Sequence, residues 1–148
     1  MSGKDERGQR PRRTRFEDVL QVNAQSEARR IVALVPGTMA VIDRAGPRAV
    51  LFQCPCTCGD TLVINVDPGA GKAWRLRVDR SGLSLMPSVW RTSGCRSHFI
   101  LWRNQVWWCD WYDEEDEDEP SWPVEMDGEL KAEWRRIRAG EKEPNSPQ

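Results

Sequence analysis

Four of the chain's five cysteines and its single histidine are confined to two short stretches, Cys54-Pro55-Cys56-Thr57-Cys58-Gly59 and Cys95-Arg96-Ser97-His98. Thiolate and imidazole are the ligand types that suit zinc. Three thiols that meet a distant fourth tie two parts of the chain together. Any fold of this sequence that uses them must bring residue 95 back to residues 54–58. Cys109 lies in a tryptophan-rich segment and reads as unrelated.

The chain has 148 residues, the size of one ordinary domain, but its ends do not read as core. Residues 1–15 hold Lys4, Arg7, Arg10, Arg12, Arg13 and Arg15 with almost no apolar side chain. Residues 140–148 are polar and contain two prolines. Both ends are expected to be disordered, which leaves a compact part near residues 28–138. A core of that size gains from a metal staple.

No apolar run is long enough to span a membrane, and no apolar stretch follows the basic N-terminus as a secretory signal requires. The expected setting is a reducing cytoplasm, where a Cys-x-Cys-x-Cys cluster reads as a metal site before a disulfide. Buried, unliganded thiols are the plainer alternative. The seven acidic residues at 113–119 form an extended, solvated loop or a docking segment for a basic partner. They argue against a nucleic-acid surface on that side. The arginine-rich tail also lacks interleaved aromatic residues for base stacking.

Apolar runs at 39–42 and 49–52, separated by Asp43-Arg44-Ala45-Gly46-Pro47, read as a hairpin that delivers the chain to Cys54. Residues 61–66 form a strand candidate. Trp74, Leu76 and Val78 alternate with polar residues, as in a strand with one wet face. Segments 83–90, 95–102 and 106–108 continue the series. Within residues 16–35, the stretch Ser26-Glu27-Ala28-Arg29-Arg30 leaves open a short helix or the approach to a strand. Leu130, Trp134 and Ile137 fall at helical spacing within 127–138, with Gly140 just beyond. The expected fold is mainly β: a small, zinc-stabilised antiparallel domain with a short C-terminal helix. The eight tryptophans read as core-filling side chains or, at 107–122, as an aromatic binding face.

A closed structural zinc site takes four ligands, and Cys54, Cys56, Cys58 and Cys95 supply four thiolates. His98 competes for the fourth place, because Cys95-x-x-His98 is also ligand spacing. If residues 95–102 are extended, Cys95 and His98 point to opposite faces and cannot share one ion. A bend at Arg96-Ser97 reverses that argument.

His98 has a second use. In a hairpin centred on Ser93, Ser88 faces His98 directly, with Cβ atoms about 5 Å apart. A hydroxyl beside an imidazole is the nucleophile–base contact of acyl-transfer enzymes. The same contact also occurs as a plain hydrogen bond, and a one-residue slip breaks it. Ser97 is a weaker nucleophile candidate, since a strand neighbour of His98 points the other way. Asp60 and Asp79 are the candidates for a carboxylate that orients the imidazole.

Three motifs occur in order: Phe52-x-Cys54-Pro55-Cys56-x-Cys58-Gly59, then Leu85-x-Pro87-Ser88-Val89, then Cys95-x-Ser97-His98-Phe99-Ile100. This pattern resembles a small bacterial family with Cys-Pro-Cys-Gly-Cys, Leu-x-Pro-Ser-Ile and Cys-x-Ser-His-Phe motifs, encoded beside ubiquitin-like conjugation genes. The resemblance covers residues 50–108 and departs from the family at Thr57, where glycine is usual. It implies a peptidase acting at the tail of a ubiquitin-like protein, with Ser88 as nucleophile and His98 as base. It is compatible with a four-cysteine metal site. The partners it implies are the ubiquitin-like protein and the activating or conjugating enzymes encoded with it. Two other readings stand beside it. One is a non-catalytic zinc adaptor that binds through its tryptophans and acidic loop. The other is a metallo-hydrolase with His98 as a ligand.

Overall fold

The computed structural model describes residues 11–91 and 94–108, with the isolated positions Gly128 and Ala132, both helical. The expected acidic loop at 113–119, the aromatic face beyond Trp108, the rest of the helix at 127–138, the 140–148 tail and Cys109 lie outside the described residues.

Among the described residues the chain is mainly β. Its elements are β1 (Asp18–Val22), α1 (Gln25–Leu34), β2 (Thr38–Asp43), β3 (Pro47–Gln53), β4 (Thr61–Asn65), a 3-10 turn (Pro68–Ala70), β5 (Arg75–Asp79), β6 (Gly82–Trp90), β7 (His98–Trp102) and β8 (Gln105–Trp108). Two four-stranded sheets result, ordered β1-β2-β3-β4 and β5-β6-β7-β8. No helix among the described residues is long and apolar enough to cross a membrane.

The stretch 26–30, left open by pattern alone, lies in α1, and β1 precedes it. β1 runs parallel to β2, with α1 as the crossover, so the sheet is mixed rather than wholly antiparallel. Pro36 ends the helix, because it disfavours helical backbone at Val35. Ala28 and Val32 of α1 pack on Ala40, Ile42 and Leu51, all buried. The opposite faces of the same strands place Met39, Val41, Val50 and Phe52 in the core shared by the two sheets. β2 and β3 thus read as continuous apolar runs because both of their faces are covered.

Leu62 and Ile64 of β4, and Leu83, Leu85, Phe99 and Leu101 of the second sheet, complete that core. Phe52 joins the layers, with Phe16 at 5.5 Å and Phe99 at 6.2 Å, both edge-to-face. Burying one such ring contributes roughly 1.5–3 kcal/mol. Phe99 and Leu101 point inward, so His98, Ile100 and Trp102 occupy the other face of β7.

Residues 11–15, expected within the disordered tail, run across the fold. The Arg13 N–H donates to the Pro55 carbonyl (2.7 Å), and the Val106 N–H to the Thr14 carbonyl (2.8 Å). The Trp108 indole donates to the Arg13 carbonyl (3.1 Å), and the Arg12 guanidinium lies 4.2 Å from that indole's centre. The N-terminal segment therefore straps the cysteine loop to β8.

The β7–β8 turn is Arg103-Asn104, both at positive φ, and the Asn104 side chain accepts from the Leu83 N–H at 2.7 Å. A Cβ on Gly82 (φ +126°) would lie 2.7 Å from Asn104 and 2.9 Å from the Arg103 backbone. Glycine is required there by both the backbone and the close approach.

Candidate active site and metal centre

β3 ends at Gln53, and the cysteines follow on a closed loop rather than an extended strand. The Cys54 N–H donates to the Asp60 carbonyl (2.8 Å) and the Thr57 N–H to the Cys54 carbonyl (3.0 Å). Thr57 (φ +67°) and Gly59 (φ +95°) make the reversals. The left-handed backbone at position 57 suits glycine, the residue usual there in the family resembled. Here threonine takes that conformation, and its single hydroxyl proton is within reach of the Cys56 carbonyl and, at 3.1 Å, of that of Pro11.

The sulfurs of Cys54, Cys56, Cys58 and Cys95 all lie within 4.8 Å of one another. Cys54 is 3.5 Å from both Cys56 and Cys95. Four sulfurs tetrahedrally around zinc, at about 2.3 Å each, would sit about 3.8 Å apart. The four residues could therefore hold a metal ion, and a soft all-sulfur set selects zinc-like chemistry over hard cations.

The electrostatics suit a site that exchanges protons for metal. Burial pushes the Cys54 thiol up. Burial, reinforced by Cys58, pushes the Cys56 thiol up to about 12. Burial also opposes charge on Cys95, but the hydroxyl and backbone of Ser97, with Cys54 and Cys56, outweigh it and bring that thiol down to about 6.

Two residues that sequence reasoning missed as metal-site residues complete this environment. The Arg91 guanidinium donates to the sulfurs of Cys95 (3.1 Å) and Cys58 (3.7 Å) and to the Asp60 carboxylate (3.1 Å). Partial burial opposes the Arg91 charge, but Asp60 and the thiolates hold it more firmly than usual. The Ser97 hydroxyl lies 3.1 Å from the Cys95 sulfur and 3.5 Å from that of Cys54. Ser97, weighed earlier as a nucleophile, is thus turned toward the sulfurs.

The second cluster depends on Pro87. Leu85 pairs with Leu101, but Val89 pairs with Phe99 and Trp90 with His98, so four steps along β6 match two along β7. Proline cannot donate to the ladder, and such residues collect at bulges. The plain hairpin expected from the sequence is therefore corrected. Trp90, not Ser88, opposes His98, and Ser88 lies diagonally across from it.

The contact between them is nonetheless present: Ser88 Oγ is 2.9 Å from His98 Nε2. His98 is buried at 9% exposure, and its ring stacks on Trp90 with centroids 4.7 Å apart and planes 14° apart. The Trp74 indole N–H donates to the Ser88 carbonyl at 3.2 Å, fixing the bulge from β5.

The parity argument for Cys95 and His98 rested on an extended 95–102 segment. β7 begins only at His98, and Gly94 and Arg96 have positive φ. Parity therefore does not separate the two residues. What separates them is that the four-sulfur group does not include His98, whose Nε2 meets Ser88. Asp79 accepts from both the backbone and hydroxyl of Ser81, which hold its carboxyl below the usual range. It sits at the far end of β6 from Ser88. Asp60 is engaged by Arg91. Neither carboxylate is shown on the imidazole.

The profile of a bacterial ubiquitination-like system serine protease family, BubE, matches residues 24–109, more than half of the chain and every residue of both clusters. No curated protein and no solved structure matches.

Proposed function

The chain belongs to the bacterial ubiquitination-like system serine protease (BubE) family, and on that premise we propose that Ser88 is its nucleophile and His98 the general base. The observation that carries this reading is the 2.9 Å contact between Ser88 Oγ and His98 Nε2 inside the matched span.

With its proton on Nδ1, the imidazole accepts the Ser88 proton at Nε2 as Oγ attacks the scissile carbonyl carbon. The imidazolium then returns that proton to the leaving amine, and the C–N bond breaks to leave an ester on Ser88. Water, deprotonated by the same nitrogen, hydrolyses the ester and restores the hydroxyl. The outer face of the second sheet leaves this pair beside a half-exposed Trp90, where a chain terminus can approach. The substrate we propose is the C-terminal segment of a ubiquitin-like protein, cleaved to mature it or to release it from a target. Enzymes that activate or conjugate that protein are the further partners.

Cys54, Cys56, Cys58 and Cys95 would hold zinc as a closed structural centre. The ion would supply cross-linking between the cysteine loop and the approach to β7, and no chemistry at the scissile bond. Two features favour this over a metallo-hydrolase: the sulfurs already number four, and the His98 nitrogen faces an alcohol.

The test is an intact mass spectrum of a co-expressed ubiquitin-like partner after incubation with the protein or with Ser88→Ala. The proposal expects a C-terminally shortened partner from the first and an unchanged one from the second, at equal metal content. Cleavage by Ser88→Ala rejects the serine mechanism, and no cleavage by either protein favours the adaptor.

A further inference from the structure

We propose that Trp90 is a positioning residue that sustains the protonated state of His98, its indole face stabilising the imidazolium formed when Ser88 gives up its proton. This rests on the Ser88–His98 reading above and assigns a role to a residue outside that pair.

The bulge at Pro87 shifts the register by two residues, and this places Trp90 in the cross-strand position opposite His98. The rings lie 4.7 Å apart and nearly parallel, at 14°. A cation within about 6 Å of an indole centroid, over its face, is attracted by the ring quadrupole, and tryptophan is the best of the aromatic side chains for this. Neutral imidazole gains only dispersion from the same contact. The stack therefore favours the charged ring, which is the form that exists after proton transfer.

Stacking also restrains the imidazole plane. With the ring held flat on Trp90, Nε2 stays directed at its diagonal neighbour on β6, Ser88, at 2.9 Å. Trp90 is 41% exposed, an unusual position for so large an apolar side chain if filling space were its only role.

Among the described residues, the neighbouring groups on the packed elements are these. On β6, the Ser88 hydroxyl meets Nε2, and just beyond that strand Arg91 extends its guanidinium to Asp60, Cys58 and Cys95. In the turn before β7, Cys95 and Ser97 face one another, and Arg96 is exposed. Arg75, at the start of β5, lies opposite Met86 in backbone register, and Trp74, just before that strand, donates to the Ser88 carbonyl.

The chain contains one histidine, so its imidazole C–H resonances report His98 without assignment. The experiment is an NMR pH titration of the full chain, metal-loaded, in the Ser88→Ala background. It compares Trp90, Trp90→Phe and Trp90→Leu, and a sample whose tryptophans are uniformly replaced by 5-fluorotryptophan. Fluorine drains the ring face with little change of shape, so this last sample keeps the test available if Trp90→Leu does not fold.

The titration midpoint is expected to fall by roughly half a pH unit in Trp90→Leu, and by less in Trp90→Phe and in the fluorinated protein. An unchanged midpoint in the fluorinated protein overturns the proposal, as does a Trp90→Leu midpoint equal to that of Trp90. With Ser88 present, the acid limb of kcat/KM should move down in parallel while KM holds. Because the titration needs no cleavage, a shifted midpoint without peptidase activity sinks the function alone. Full cleavage with an unshifted midpoint sinks the role of Trp90 alone.

Discussion

The Arg91 guanidinium lies 3.1 Å from the Cys95 sulfur, and the Arg91 backbone N–H donates to the Ser97 carbonyl two residues beyond that cysteine, at 2.8 Å. The end of β6, which carries Ser88 and Trp90, is thereby fastened to the four-sulfur cluster. The four-cysteine cluster and the Ser88–His98 pair share one support, although no atom of the pair belongs to the sulfur group.

Arg91→Ala removes that support and leaves Asp60 and the thiolates without their cation. Groups that donate to metal ligands typically matter 10–100-fold for affinity, so zinc binding should weaken by at least about tenfold in a chelator competition. Arg91→Lys should recover only part of it, because an ammonium cannot span Asp60 and two sulfurs at once. Equal affinity in all three proteins would contradict the geometry.

Metal uptake should release protons. At neutral pH the Cys56 thiol, pushed up to about 12, and the raised Cys54 thiol are protonated, whereas Cys95, near 6, is already a thiolate. Binding must displace at least the two protons on Cys54 and Cys56. Apparent affinity therefore falls as pH falls, and falls further once the pH drops through 6 and Cys95 also protonates. Calorimetry in buffers of different ionisation enthalpy counts these protons. A pH-independent affinity, with no proton release, would be inconsistent with the burial of these thiols.

Much of this was legible before the structure, for reasons that particular residues make plain. Cys54, Cys56 and Cys58 are local in sequence, so their convergence needs only one loop. The β2–β3 hairpin announces itself because 39–42 and 49–52 are apolar on both faces and flank a turn. β1 and α1 were ambiguous because five strand and ten helix residues are too few for a clear period. The β6–β7 register was misjudged because a bulge at Pro87 adds two residues that no turn rule counts. The metal-site roles of Arg91 and Ser97 were invisible for a different reason. They depend on where the end of β6 meets the approach to β7, and that meeting is tertiary.

Trp74→Phe keeps the ring and deletes the N–H that holds the Ser88 carbonyl at 3.2 Å. A neutral hydrogen bond of this kind contributes about 0.5–1.5 kcal/mol, so kcat should fall by roughly two- to tenfold if the bond positions the nucleophile. Metal content should not change. Steady-state kinetics on a cleavable ubiquitin-like fusion would show it, and an unaltered kcat would mean that the bulge holds its shape without the indole.

The most direct check of the central claim is covalent labelling of the nucleophile. Metal-loaded protein, Ser88→Ala and His98→Gln are each treated with a fluorophosphonate, and the adduct is located by peptide mass spectrometry. The account predicts one adduct, on Ser88, strongly reduced in His98→Gln and missing in Ser88→Ala. Labelling of Ser88 at an undiminished rate without His98, or no labelling of Ser88 in a protein that cleaves its partner, would contradict it.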